Sequence, residues 1–510
     1  MKKLIKTIPI TILLLSSVLL LILFSKGQKG NPLAFQSDHD TAVGGPFELS
    51  NSTARYALTE AIVEDHSFFF NDTKARFASP DLTQYKGKYF SIFMPGVSFL
   101  AIPLYVLGKQ LNVPQLFSYA STTITAFLNI FLITRLAKKL GANTLAGLIG
   151  GFVFVFATNA FSFAMTFTQH HFAVTLLLLA LLNTLKNRTW ISNLEFGILC
   201  GLGILFDVPN IFLLLPVGLY IVFKHFWLVQ RDNKIGFRFK INLLGILFGM
   251  LPLVILLGWY NYQLTGSYTK LAQNIGRSLY PPDAKIVEKP KEVEVGDSPT
   301  NSKIKLPFKS RKMLSGFYTL IGSDERSWIY YSPIVWLGIL GIGVAARRKD
   351  SKDVTLVGLC VIVINYLLYA MFGDPWGGWS FGARYLIPAA GVMSVFLAVA
   401  IDRFYKRWIF ALVFFPVVIY SLAINAIGAA TTNLVPPKVE AVNLSEPIPY
   451  TYQRNMQLVE TGFNSSLIYN LLLPKIIDSK TFITWTVVSE TIVLSVAYLF
   501  LSKFDQDKII

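Results

Sequence analysis

The sequence predicts an all-α polytopic membrane protein of about twelve transmembrane helices, with juxtamembrane helices on its outer face. Three observations predict it. Of 510 residues, 53% are hydrophobic and the mean hydropathy is +0.52, beyond the apolar share of a soluble domain. The apolar residues fall in blocks of about twenty, the length that crosses a hydrocarbon core. The cations behind the formal net charge of +17 sit in short clusters between those blocks, as cytoplasmic loops require. That placement sets nucleic acid aside as a partner. Cys200 and Cys360 both lie inside apolar blocks, so no disulfide framework is expected.

The N-terminal stretch "MKKLIKTIPITILLLSSVLLLILFSKG" has a basic head and an apolar run long for a signal peptide, with no small-residue cleavage site after it. It predicts a retained first helix with Lys2, Lys3 and Lys6 in the cytoplasm. The next apolar stretch, Ser91–Gln110, carries two prolines and two glycines. Counting positive charge decides whether it crosses. If it does not, the second helix, "LFSYASTTITAFLNIFLITRLAKKL", delivers Arg135, Lys138 and Lys139 to the cytoplasm. Later helices at roughly 144–158, 166–185, 194–207, 209–224, 241–262, 329–346, 354–372, 383–401, 407–428 and 483–501 then place Lys186/Arg188, the 224–240 loop, "ARRKDSK" and "DRFYKR" inside. If it crosses, all these clusters lie outside, against the positive-inside rule. Ser91–Gln110 is therefore expected along the outer interface, amphipathic or re-entrant.

The result is one integral membrane domain over 1–510, in the plasma membrane, with both termini cytoplasmic. Its outer face carries three large loops, 25–113, 263–328 and 429–482. The lysine-rich middle loop does not count against this topology, because long loops translocate largely regardless of charge. Its Pro, Lys and Glu content reads as a solvated strap.

In the first outer loop, "NSTARYALTEAIVEDHSFFFND" is followed by "SPDLTQYKGKYFSIFMPGVSFLAIPLYVLG" and by a helix ending "RLAKKLGAN". This succession resembles the GT-C superfamily of polyprenyl-phosphate-sugar-dependent glycosyltransferases, in the bacterial membrane branch that includes protein O-mannosyltransferases and aminoarabinose transferases. "GFYTLIGSDERSWIYYSPIVWLGILGI" and "DPWGGWSFGARYLIPAAG" are similar to that branch as well. The resemblance implies a GT-C-like fold and catalysis on the extracytoplasmic face beside the first loop. It implies a lipid-linked sugar donor entering from the membrane lipids, and a glycan, lipid or protein acceptor. It also implies an acidic base just before "ARYALTEAI", where this chain has Asn51, Ser52 and Thr53.

Chemistry says what to seek instead. A polyprenyl phosphate is a good leaving group that needs a cation, while the acceptor hydroxyl needs a carboxylate. A glycosidase would need a carboxylate pair. The candidate bases among the first-loop acids are Asp38, Asp40, Glu48, Glu64, Asp65, Asp72 and Asp81. Asp81 and Asp72 rank first as base because they flank the interfacial stretch, and Asp40 follows because its distance from the first helix is comparable to that of the family's acid. Asp38, His39 and Asp40 form a weak metal signature, so no cofactor is required and a divalent metal is left open.

For the donor phosphate, Arg384 in "FGDPWGGWSFGARYLIP" is the first choice, since guanidinium grips phosphate bidentately. An aromatic belt with a snorkelling arginine is the competing explanation. Lys88 and Lys86 in "YKGKYF" are second choices. Tyr385, Trp379, His170, His171 and Asp207 complete the candidate substrate-binding set, with helix capping the alternative for Asp207. A transporter or flippase of lipid-linked glycans would instead show matched halves and ionisable groups at the bilayer midplane. A non-catalytic envelope assembly protein is the third reading.

Overall fold

The structure is a computed structural model that describes residues 2–26, 42–231, 234–281 and 312–508. Among them six helices are long and apolar enough to cross a membrane: Pro114–Lys139, Ile241–Thr265, Lys352–Ala370, Arg384–Phe404, Trp408–Ala430 and Ser479–Phe504. Six shorter apolar helices accompany them: Thr7–Leu23, Thr144–Phe156, His170–Thr184, Trp190–Phe206, Asn210–Phe223 and Pro333–Ala346. The chain is thus an all-α polytopic membrane protein.

Local chemistry sets the helix ends. Thr189 and Ser192 form a reciprocal capping box at the start of Trp190–Phe206. Asn143 caps Thr144–Phe156 by accepting from Ala146 N at 2.8 Å. The stretch read as one helix over 329–346 is broken into Trp328–Tyr331, Pro333–Leu337 and Gly338–Ala346. Pro333 lacks the N–H that a continuous helix needs. Likewise the helix expected from 166 starts at His170, after a separate turn of helix at Ala160–Ala164.

Packing orders the bundle from centre to lipid. The helix Ile387–Phe404 lies innermost, buried from Ile387 through Asp402. A Cβ at Gly341 would sit 1.7 Å from Phe396 O, so only glycine lets Gly338–Ala346 lie backbone-to-backbone against that central helix. Leu244–Thr265 lies outermost. It packs on Trp190–Phe206 and exposes Leu247, Phe248, Leu251 and Ile255, the surface a helix shows to lipid.

The two ends of the bundle hold different sets of residues. At one end Asn143 Nδ2 donates to Asp402 Oδ1 at 2.6 Å, Lys224 pairs with Asp353 at 3.1 Å, and Tyr498 donates to Tyr405 O at 2.9 Å. This is the end carrying Lys138, Lys139, Lys186, Arg188 and the 347–352 and 403–407 cations. It also holds an antiparallel hairpin, Phe226–Arg231 with Lys234–Phe239, inside the basic 224–240 loop. At the opposite end Leu467 N donates to Ser25 O at 2.6 Å, Gln169 Nε2 to Asp207 Oδ2 at 3.0 Å, and Ser380 N to Val435 O at 2.8 Å.

Both ends of the helix Gly96–Gln110 belong to that opposite end. A Cβ at Gly96 would meet Leu205 O at 2.6 Å, and one at Gly108 would meet Pro114 Cα at 2.9 Å. Its 15 residues lie across the bundle rather than through it. Ser91 itself is not helical: it closes an antiparallel hairpin of Leu82–Tyr85 and Lys88–Ser91, which the apolar reading of this stretch did not reveal.

Candidate active site

The end opposite the basic clusters holds Arg55, Asp81, His170, Asp207, Arg326 and Arg384. Its base is the helix Ser50–Glu64, buried from Asn51 through Thr59. Arg55 on this helix is 1% exposed, with Nη1 donating to Asn51 O at 2.9 Å and the guanidinium 4.2 Å over the Phe93 ring. Its Nε has no hydrogen-bond partner among the described residues. Burial draws this guanidinium down to about 10, and the charges of Asp207 and Asp81 oppose the fall. Arg55 therefore stays charged at neutral pH. The sequence reading passed over it; the available signal was a lone arginine in a loop segment otherwise rich in alanine and small polar residues.

Arg384 faces Arg55 within electrostatic reach, and both bear on His170. It begins a short 3-10 turn, Arg384–Leu386, ahead of the central helix. The guanidinium is half-buried, lies 5.3 Å over the Tyr385 ring, and keeps its Nε without a protein partner. No carboxylate lies within ion-pair distance of it among the described residues. The preceding glycines serve this approach. Gly377 has φ +73, and a Cβ there would sit 2.9 Å from Arg384 Nε.

A second unanticipated arginine holds that loop. Arg326 is fully buried and spends its donors on carbonyls: Trp376 O at 3.2 Å, Gly378 O at 3.4 Å, Val435 O at 2.8 Å and Glu325 O at 2.7 Å. Five guanidinium donors in a fixed fork suit such a junction.

Two carboxylates close the site. Asp207 ends the helix Trp190–Phe206 and is half-buried, its Oδ2 accepting from Gln169 Nε2 at 3.0 Å. It does not cap Asn210–Phe223, whose N-cap, Pro209, makes no side-chain bond. Burial raises the Asp207 carboxyl above the usual range, with the Arg55 charge opposing. Asp81 is 2% exposed: Ser50 Oγ donates to Oδ2 at 2.6 Å, and Arg277 Nε forms an ion pair with Oδ1 at 2.8 Å without hydrogen-bond geometry. Asp81 thus reaches, from another part of the loop, the start of the helix where Asn51, Ser52 and Thr53 stand.

The structure brings Asp81, Asp207, His170 and Arg384 together and leaves other candidates elsewhere. Asp72 is exposed in the first turn of Asp72–Ala78, a helix capped by Asn71, and hydrogen-bonds the Tyr280 hydroxyl. Lys86 and Lys88 are exposed on the hairpin, over the rings of Tyr85 and Phe69. His171 is pinned, its Nε2 at 2.8 Å from Ala160 O. Trp379 donates to Glu440 Oε2 at 2.6 Å beneath the Arg454 guanidinium, and Tyr385 stacks on Tyr369 with ring centroids 4.3 Å apart. Asp38, His39 and Asp40 lie outside the described residues. Among the described residues no group of three or more His, Cys, Asp or Glu is arranged to hold a metal ion.

Glu48, another acid of the first loop, is structural. It forms a fully buried ion pair with Lys26 at 3.1 Å and accepts from Gly44 N, Asn433 N and the Thr432 hydroxyl.

The fold and site define a multi-pass helical membrane protein with a cluster of charged side chains at one end of its bundle. No family model and no curated protein sequence matches the chain. Among solved structures it is similar to ArnT from Cupriavidus metallidurans in the apo state, at 13% identity and a TM-score of 0.48 over 99% of this chain and 76% of that one. It is similar to the same protein bound to undecaprenyl phosphate, at 11% identity and 0.48 over 99% and 77%. A third is the Archaeoglobus fulgidus oligosaccharyltransferase in complex with zinc and sulfate, at 14% identity and 0.43 over 84% of this chain and 54% of that one.

Proposed function

We propose that this chain is a GT-C-type glycosyltransferase that moves a sugar from a polyprenyl-phosphate carrier to an acceptor hydroxyl on the extracytoplasmic face of the plasma membrane. The observation that carries the reading is Arg384: a half-buried guanidinium with a partnerless Nε, beside a second buried guanidinium and two carboxylates. A half-buried cation with no ion-pair contact among the described residues invites an anion. The alternation of ends supports the sidedness, because the Lys and Arg clusters gather at the end away from the cleft.

Chemically, the acceptor oxygen attacks the anomeric carbon, the bond from that carbon to the phosphate oxygen breaks, and polyprenyl phosphate leaves with the electron pair. Arg384 and Arg55 stabilise the charge that grows on the departing phosphate. Asp207 takes the acceptor's proton. Its raised pKa suits a base better than Asp81, which is ion-paired with Arg277, accepts from Ser50 and balances Arg55.

The test is reconstitution of the full chain in lipid with a panel of polyprenyl-phosphate sugars, reading free polyprenyl phosphate. Release that is lost in Arg384→Ala upholds the reading. Donor moved between leaflets with its sugar still attached would instead make the protein a flippase.

A further inference from the structure

The hairpin Leu82–Ser91 presents cations and aromatic rings in pairs. Lys270 Nζ lies 4.2 Å from the Tyr85 ring centroid, with Lys86 on the same ring at 5.6 Å. Lys88 lies 4.3 Å from the Phe69 ring, and Arg76 5.7 Å from Tyr280, which meets Tyr89 edge-on at 5.1 Å. None of these four cations has a carboxylate within ion-pair distance among the described residues, although burial does not force them apart: three are exposed and Lys270 is half-buried.

A second observation lies next to it. Phe69, under Lys88, also lines a cavity of about 390 Å³ whose other walls include His66, Phe68, Trp259 and Gln263. Flat rings with interspersed donors fit the apolar faces and hydroxyls of a sugar ring. The unpaired cations add a preference for negative charge.

The surface also has a direction. The loop 272–281 runs along the hairpin, with Ser278 N donating to Leu82 O at 2.8 Å, and its Arg277 reaches Asp81 at 2.8 Å. The platform therefore leads from open solvent to the cleft.

We propose that this hairpin platform binds an anionic glycan, a polymer bearing phosphate or carboxylate groups, and presents it as the acceptor; this last role rests on the transferase reading above. The hairpin packs chiefly on the loop helices Ser50–Glu64, Asp72–Ala78 and Ala272–Ile275, none of them a spanning helix, and only Trp259 and Gln263 of the neighbouring cavity wall come from one, close to its end at Thr265; this favours an occupant from the aqueous side.

The test uses the full chain in nanodiscs of zwitterionic lipid, with polygalacturonate oligomers as anionic probe and dextran oligomers of equal length as neutral probe. The combined variant K86A/K88A/K270A should weaken polygalacturonate binding about tenfold or more, and added salt should weaken it in the native chain. Y85L should weaken it with the charges intact, while binding of polyprenyl phosphate stays within about twofold in both variants. Equal polygalacturonate binding by the triple variant would overturn the proposal, as would dextran binding as tightly. Loss of affinity confined to phosphatidylglycerol vesicles would overturn it too, showing a lipid contact. If the platform variants lose the glycan but the native chain releases polyprenyl phosphate from no donor, the glycan surface stands and the transferase reading falls.

Discussion

The two ends of the helix bundle treat their polar groups in opposite ways. At the basic end they pair off: Asn143 with Asp402, Lys224 with Asp353, Lys186 with Glu195, Asn193 with His225 at 2.8 Å. At the other end buried polar atoms stand without protein partners, among them Arg55 Nε, Arg384 Nε, His170 Nε2, Asn51 Oδ1, Ser52 Oγ and Trp376 Nε1. Buried polar groups are ordinarily satisfied, because each orphan forfeits about 1–3 kcal/mol of hydration. A molecule whose orphans gather at one end has kept that end for something other than stability.

The largest expected effect tests whether this end also contains ordinary structure. Lys26 and Glu48 are both fully buried, so Lys26→Met leaves a carboxylate without its cation and should destabilise by about 3–5 kcal/mol. The half-exposed pair Lys186–Glu195 at the basic end should lose less than about 1 kcal/mol when Lys186 is replaced by alanine. Thermal unfolding in one detergent compares the two, and similar losses would mean that the burial of the first pair is not felt.

Arg384 comes next. Its loss should lower turnover about 10²- to 10³-fold with little change in melting, and Arg384→Lys should retain part of the rate because charge survives without the fork. Asn193, which also has a partnerless atom but at the basic end, supplies the contrast. Asn193→Ala should move stability and leave turnover alone. An Arg384→Ala protein that melts early and turns over normally would make the arginine an anchor in the aromatic belt.

The carboxylates sharpen the division inside the cleft. Asp207→Asn should lower kcat about a hundredfold or more, and Asp81→Asn, which breaks contacts to Ser50 and Arg277 rather than removing a base, should cost less. Because burial raises the Asp207 carboxyl, the acid limb of activity should lie above the ordinary carboxylate range and vanish in Asp207→Asn. The sign for stability is opposite. A raised carboxyl favours the fold most when protonated, and that contribution is lost as pH climbs from the unfolded pKa through the folded one. An acid limb unchanged in Asp207→Asn would pass the role to another group.

How much of this was legible in the sequence varies with the range of the forces involved. The spans were, because hydropathy acts block by block, and even the two misjudged starts trace to local breaks at Pro333 and before His170. The turn that carries Arg384 was, since its glycines and tryptophans announce it. Asp72 and Asp81 were indistinguishable, being nine positions apart in one polar segment. Only the fold turns Asp72 outward on a capped helix and slides Asp81 under Ser50. Arg55 and Arg326 were missed for the same reason: their burial is made by chain far away in sequence, Asp207 for one and the carbonyls of residues 376, 378 and 435 for the other.

The smallest effect expected concerns an exception to the contrast between the ends. Glu490 lies in the middle of the helix Ser479–Leu499, 1% exposed, and among the described residues neither carboxylate oxygen has a hydrogen-bond or ion-pair partner. It belongs to neither end, and no polar group of the cleft reaches it. A carboxyl so placed gives the fold nothing but its stem, and leucine offers a similar volume with no polar atoms to dehydrate. Glu490→Leu should therefore leave turnover unchanged and raise stability by about 1 kcal/mol, whereas Glu490→Gln, which keeps the orphaned polarity, should be close to neutral. Thermal melts of the three proteins beside their rates of lipid-phosphate release decide it. If leucine lowers the rate while the melt holds or rises, the mid-bundle carboxyl takes part in function, and the orphans that matter are not confined to one end.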